Sequence, residues 1–152
     1  MTSLQLLVLG HVLGTVSLVG GTFMLQILAV LATRSPVASD LVALARQAAW
    51  IGPRVFMPSA LLIVATGVGM ASQLRVALDE PFVLIGAGAI LVAAATGPAF
   101  LAPESRRIGR LVAADEASPE ARRRMRRLFL VSRVELLLLV VAVAAMVVKP
   151  SL

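Results

Sequence analysis

The chain has 152 residues, of which 59% are hydrophobic and only 14% charged, and its formal net charge is +6. A typical globular domain has about 25% charged residues, so this composition excludes a soluble protein. The sequence contains no cysteine, which excludes disulfides, thiolate metal sites and covalently attached c-type haem. The basic residues are not interleaved with aromatic ones, as they would be in a nucleic-acid groove, so we expect no nucleic-acid partner.

Four segments are long and apolar enough to cross a bilayer, which takes about 20 helical residues. They span about 4–33, 55–74, 81–102 and 128–148. The first segment lacks the positively charged start of a cleaved signal peptide, so we expect it to be retained as a helix. The sequence therefore predicts an all-α fold, a membrane-spanning four-helix bundle that forms one domain over residues 1–152.

The distribution of basic residues predicts the orientation of the bundle. Loop 34–54 contains Arg34 and Arg46, whereas only Arg75 and Lys149 lie on the opposite side. Loop 103–127 contains eight more arginines: Arg106, Arg107, Arg110, Arg122, Arg123, Arg124, Arg126 and Arg127. Positively charged loops stay in the cytoplasm. We therefore expect both termini outside and both long loops inside the cell.

Both long loops are predicted to be helical. A serine followed by proline, as at Ser35 and again at Ser118, is a typical helix start. Apolar residues at helical spacing after Ser35 favour an amphipathic helix at the membrane surface, and Gly52-Pro53 predicts a break or kink after it. The helix that begins after Ser118 is expected to run through the arginines into the fourth span.

Small residues form stripes on two of the predicted spans. Gly10, Gly14, Ser17 and Gly21 share one face of the first span, and the third span has Gly86 and Gly97 at similar spacing. Small residues allow helices to approach closely inside a membrane. We interpret both stripes as packing surfaces within the chain, with a dimer interface or a slot for a flat cofactor as the alternative.

His11 is the only histidine, and it lies inside the first span. An ionisable side chain at such a depth is a candidate functional residue, although a neutral imidazole bonded to a neighbouring helix is an equal alternative. Met70 and Met146 are expected in the same, outer leaflet. Imidazole and thioether groups are ligands for Cu(I) or for haem b, and a bis-histidine haem would need His11 from two copies.

Three charged residues are predicted at the cytoplasmic ends of the spans: Arg54, Arg133 and Glu135. Glu135 could pair with Arg54 across helices and leave Arg133 to extend to the head groups. Alternatively, Arg54 and Arg133 form a cationic pocket for an anionic head group or a haem propionate. The arginines of 122–127 fix the topology and also attract anionic lipid.

His11 and Gly14, followed by Gly20 and Gly21, resemble the opening of a family of small predicted bacterial integral membrane proteins of unknown function. The closing Met146-Val-Val-Lys149-Pro150 is similar to the C-terminal signature of that family. The family in turn resembles, distantly, the copper-resistance D proteins and the haem-linked membrane protoporphyrinogen oxidases. The resemblance implies a four-helix bundle in the bacterial inner membrane, with a haem or copper link through His11.

Three functions are consistent with these features. The first is a non-catalytic accessory subunit, present as a homo-oligomer or within a larger membrane complex, that binds haem b through His11. The second is a haem- or copper-dependent membrane redox protein that uses His11, Met70 and Met146. The third is a purely structural subunit. The oxidases that the family resembles carry further polar residues in their first helix, whereas the first span here has no charged residue, so the resemblance favours a non-catalytic protein over an enzyme.

Overall fold

The computed structural model describes residues 1–35, 38–115 and 118–148, and all regular elements in these ranges are helical. The α-helices are α1 Ser3–Thr15, α2 Gly21–Arg34, α3 Ala38–Ile51, α4 Met57–Leu74, α5 Pro81–Thr96, α6 Ala102–Ala114 and α7 Pro119–Val148. Three π-helical turns, Val16–Gly20, Gly52–Phe56 and Gly97–Leu101, join α1 to α2, α3 to α4 and α5 to α6. The chain therefore forms four long helices, residues 3–34, 38–74, 81–114 and 119–148.

Each long helix contains a segment that is long and apolar enough to cross a membrane: Ser3–Arg34, Arg46–Leu74, Pro81–Ala114 and Pro119–Val148. The prediction of an all-α fold with four membrane-spanning helices is confirmed. The helices are longer than the sequence stretches predicted to span the bilayer. The 34 residues of Pro81–Ala114 extend about 50 Å, whereas the hydrocarbon core is about 30 Å thick.

Local sequence signals explain where several helices begin and end. Thr2 accepts a hydrogen bond from the Gln5 backbone at the start of α1, and the Gln5 side chain accepts one from the Thr2 backbone. Ser118 accepts a hydrogen bond from the Ala121 N–H, so this serine caps α7 as predicted. Arg75 adopts the left-handed conformation, with φ of 53°, and ends α4. Pro36 and the closing Lys149-Pro150 lie outside the described residues.

Gly52-Pro53 and Gly97-Pro98 both begin π-helical turns. A proline has no N–H to donate and its ring displaces the preceding turn, so a wider turn at this position accommodates it. The sequence predicts a break or kink at Gly52-Pro53; the helix does not break there, because the backbone remains helical from α3 through to α4, and the change is a wider turn.

The helices pack in antiparallel pairs, α1 along α4, α5 along α7, and α3 along α6. Ser3 hydrogen-bonds with Gln73, which places the start of α1 beside the end of α4. We call this the terminal end of the bundle. The opposite end, formed by α3, α6 and the neighbouring parts of α2 and α7, is the arginine-rich end.

Three apolar clusters form the core. The central cluster contains Leu18, Ile63, Ala89, Ala93, Leu139 and Ala142. Two further clusters lie at the arginine-rich end: Ile108, Val112, Ala121, Met125 and Leu128 between α6 and α7, and Ala29, Ala32 and Leu44 between α2 and α3. Phe129 packs against both of these. The arginine-rich end is thus a packed helical extension rather than a pair of loops.

Candidate functional site

His11 lies half-buried on α1 and faces α4. Its Nδ1 atom lies 3.1 Å from the Ile63 carbonyl oxygen and 3.2 Å from Thr66 Oγ1. A carbonyl oxygen can only accept a hydrogen bond, so Nδ1 carries the proton and the lone pair of the neutral ring lies on Nε2. His11 therefore has the helix-to-helix hydrogen bond of a structural histidine, and its second nitrogen remains a possible ligand.

The glycine stripe of the first long helix faces α4 and the turn before it. A Cβ atom added to Gly14 would lie 2.9 Å from Ile63 Cγ1 and 3.1 Å from the Ser59 carbonyl oxygen. A Cβ added to Gly10 would lie 3.1 Å from Thr66 Cγ2, and one added to Gly21 would lie 2.7 Å from the Phe56 ring. Side chains of α4 and its preceding turn already fill this surface.

Ser17 and Gly97 depart from the predicted packing stripes. Ser17 is exposed, because the π-helical turn Val16–Gly20 contains an extra residue and brings Leu18 to the buried face instead. Gly97 has no atom within 4 Å of an added Cβ. Gly86, by contrast, lies directly beneath the Met146 methyl group.

The contacts of His11 and Met146 lie on different helices. His11 is held by α4, whereas Met146 packs on Gly86 of α5. Met70 is half-buried on α4, one turn beyond Thr66. In the ranges 1–35, 38–115 and 118–148, no group of three or more histidine, cysteine or acidic residues could hold a metal ion.

A haem does not fit between the helices beside His11, because the facing surface is filled by Thr66 and Ile63. A porphyrin would need an open slot at this contact.

The three charged residues predicted at the ends of the spans have different neighbours. The Arg54 guanidinium lies 4.9 Å from the centre of the Trp50 ring, a cation–π contact. Glu135 lies close to the Thr96 hydroxyl of α5, which donates to the Val92 carbonyl oxygen. The expected Arg54–Glu135 pair is not formed, because Arg54 stacks on the aromatic ring of its own helix. Arg133 is exposed and lines a surface groove of about 310 Å³ beside Phe23.

The arginines of the arginine-rich end divide into one paired residue and a set of exposed ones. Arg124 forms ion pairs of 2.8 Å with Glu104 on α6 and with Glu120 one turn earlier on α7. The exposed ones are Arg106, Arg107, Arg110, Arg122, Arg123, Arg126 and Arg127. The exposed arginines thus lie on two helices, α6 and α7, that pack together through an apolar core and through the ion pair of Arg124 with Glu104.

A cavity of about 380 Å³ lies where the central core meets the arginine-rich end, and all four long helices line it. We call it the inner cavity. Most of its lining is apolar, and the polar residues are Thr22, Gln26, Ser105, Arg106, Ser132 and Glu135. Two buried atoms in this lining, Gln26 Oε1 and Glu135 Oε2, have no hydrogen-bond partner in the described part of the chain.

Sequence reasoning missed the inner cavity and Gln26. A signal for Gln26 exists, because Leu18, Thr22, Gln26 and Ala29 recur at helical spacing and all four are buried. A glutamine on the buried face of an apolar helix is unusual, since each of its polar atoms needs a partner.

Comparison with known proteins supports the membrane assignment. None of the curated proteins and none of the solved structures matches the chain. The model of one protein family matches residues 5–150, nearly the whole sequence. The chain belongs to this family, described as Predicted integral membrane protein (DUF2269), a family of unknown function.

Proposed function

We propose that the protein is a non-catalytic accessory subunit of the bacterial inner membrane. In this proposal both termini lie outside and the arginine-rich end lies in the cytoplasm. The number of basic residues at each end supports this orientation, since positively charged segments remain on the cytoplasmic side. The protein contacts membrane lipids and acts by holding a partner, either further copies of itself or a larger membrane complex.

The observation that carries this proposal is the packed core of the arginine-rich end. Ile108 is completely buried and Met125 is 3% exposed, so α6 and α7 form an ordered extension beyond the apolar spans. Binding to exposed arginines on ordered helices costs less conformational entropy than binding to arginines on a loop, because the loop would have to become ordered. The extension therefore suits docking better than it suits catalysis.

The orientation can be tested with single cysteines, because the natural chain contains none. Arg123→Cys places a thiol on the arginine-rich end, and Arg75→Cys places one on the hairpin at the terminal end. In intact cells a membrane-impermeant maleimide should label Arg75→Cys and not Arg123→Cys. Both should be labelled in inverted vesicles or after lysis. The opposite pattern would overturn the orientation.

A second candidate function is haem b binding through His11, with copper as the less favoured ligand. The specific observation in its favour is the hydrogen bond from Nδ1 to the Ile63 carbonyl, which leaves Nε2 as the ligand atom. A bis-histidine haem would need His11 from two copies of the chain. Met70 and Met146, with Arg54 and Arg133 for the propionates, are its further proposed residues.

One purification separates these candidates. We expect protein extracted in mild detergent to be colourless, metal-free and associated with a stoichiometric partner or with itself. A Soret absorption band that disappears in His11→Ala would favour haem binding through His11. Bound copper without haem would favour the copper form of this candidate. A colourless protein that is monomeric and without a partner would contradict the accessory function.

A further inference from the structure

We propose that the inner cavity is a binding site for a small lipophilic amine, with the ammonium group between Gln26 and Glu135. The volume of about 380 Å³ lies in the range of small-molecule sites, about 300–1,000 Å³. The site goes beyond the accessory function, because it concerns the interior of the bundle rather than its surface.

The two unpartnered oxygens define the polar part of the ligand. Gln26 Oε1 and Glu135 Oε2 are both acceptors, both are buried, and both belong to residues that line the cavity. A buried acceptor without a donor is unfavourable, and a buried carboxylate without a cation is more so. A ligand that provides N–H donors and a positive charge satisfies both atoms at once.

Among the described residues, no donor bonds to either of these two atoms. The Thr22 hydroxyl, which also lines the cavity, donates to the Leu18 carbonyl oxygen at 2.7 Å. The Arg54 guanidinium is placed on Trp50, and Arg133 lines the surface groove rather than the inner cavity. Neither nearby arginine therefore neutralises Glu135.

The remaining lining defines the body of the ligand. Leu18, Phe56 and Leu128 are among the mostly apolar side chains that surround the space. The space beside Gly52 and Gly97 is open, since an added Cβ at either position has no atom within 4 Å. An aromatic or branched aliphatic group is complementary to such walls, since it removes apolar surface from water.

Arg106 does not oppose a cationic ligand. It lines the cavity but is exposed to solvent, so its charge is hydrated and screened. It lies ten positions beyond Thr96, the neighbour of Glu135, on one continuous helix, which corresponds to about 15 Å along the axis. The two charges therefore occupy opposite ends of the cavity.

The test uses three probes with the same apolar body: 2-phenylethylammonium, ethylbenzene and phenylacetate. Binding to the purified full-length protein is measured by calorimetry in detergent. We expect saturable binding of 2-phenylethylammonium, weaker binding of ethylbenzene and none of phenylacetate. Equal binding of the cationic and anionic probes, or no saturable binding of any probe, would overturn the proposal without the need for a variant.

Matched variants identify the residues that bind the ammonium group. Glu135→Gln keeps the shape of the side chain and should weaken 2-phenylethylammonium binding more than about tenfold, because the ion pair within the cavity is lost. Gln26→Leu should weaken it less, and Glu80→Gln, at the terminal end, should leave it unchanged. An unaltered affinity in Glu135→Gln would place the ammonium group elsewhere and contradict the proposed site.

Discussion

Ile108→Ala is expected to lower the free energy of unfolding by about 2–5 kcal/mol, the usual range for truncating a large aliphatic side chain in a core. Ile108 is 0% exposed and belongs to the cluster that joins α6 to α7. The truncation leaves a void against Met125 and Leu128, which the two helices can close only in part. Unfolding in mixed detergent micelles, followed by circular dichroism, measures the change.

Leu130→Ala is the matched control for Ile108→Ala. Leu130 is 63% exposed on α7, two residues beyond the buried Leu128, so its truncation opens no void in the protein. We expect a much smaller change in unfolding free energy. Similar losses in the two variants would show that the arginine-rich end has no packed core and would contradict an ordered docking extension.

Gly14→Leu is expected to separate α1 from α4 and to lower the free energy of unfolding by about 1–3 kcal/mol, the usual range for overpacked cores. The Ser59 carbonyl oxygen, 3.1 Å from an added Cβ, belongs to the backbone and cannot move aside as a flexible side chain can. A larger side chain therefore forces the helices apart and lengthens the hydrogen bond from His11 to the Ile63 carbonyl.

Gly20→Leu provides the control for Gly14→Leu, because Gly20 is exposed and no atom lies within 4 Å of its added Cβ. The thermal midpoint in detergent should fall in Gly14→Leu and remain nearly constant in Gly20→Leu. Equal stability of both variants would show that α1 and α4 are not in contact at Gly14.

The four spans were predictable because length and hydropathy are properties of each segment alone. The fourteen basic residues would interrupt such segments if they were scattered, but most of them lie in two stretches. The helix start at Ser118 was predictable for the same reason, since a cap depends on a few consecutive residues. Whether a segment spans a membrane as a helix depends mostly on the residues of that segment, so a single sequence is enough to predict it.

Contacts that depend on helix rotation were not predictable. The π-helical turn after Thr15 changes which face is buried, so Leu18 rather than Ser17 continues the stripe from Gly14. The partner of Arg54 is Trp50, one turn away on its own long helix, although Glu135 offered the opposite charge. The inner cavity requires four helices at fixed rotations, and no single segment of the sequence specifies it.

The long helices pass from the apolar region into the arginine-rich end without a loop at the boundary, and bilayer thickness therefore imposes little strain on the fold. A helix that is longer than the hydrocarbon core adjusts by tilting or by small vertical shifts, at fractions of a kcal/mol per ångström of hydrophobic mismatch. The flexible stems of arginines at the boundary can follow the head groups over several ångströms. Membranes that differ in lipid chain length should therefore accept the same helix packing, with only the depth of the bundle changed.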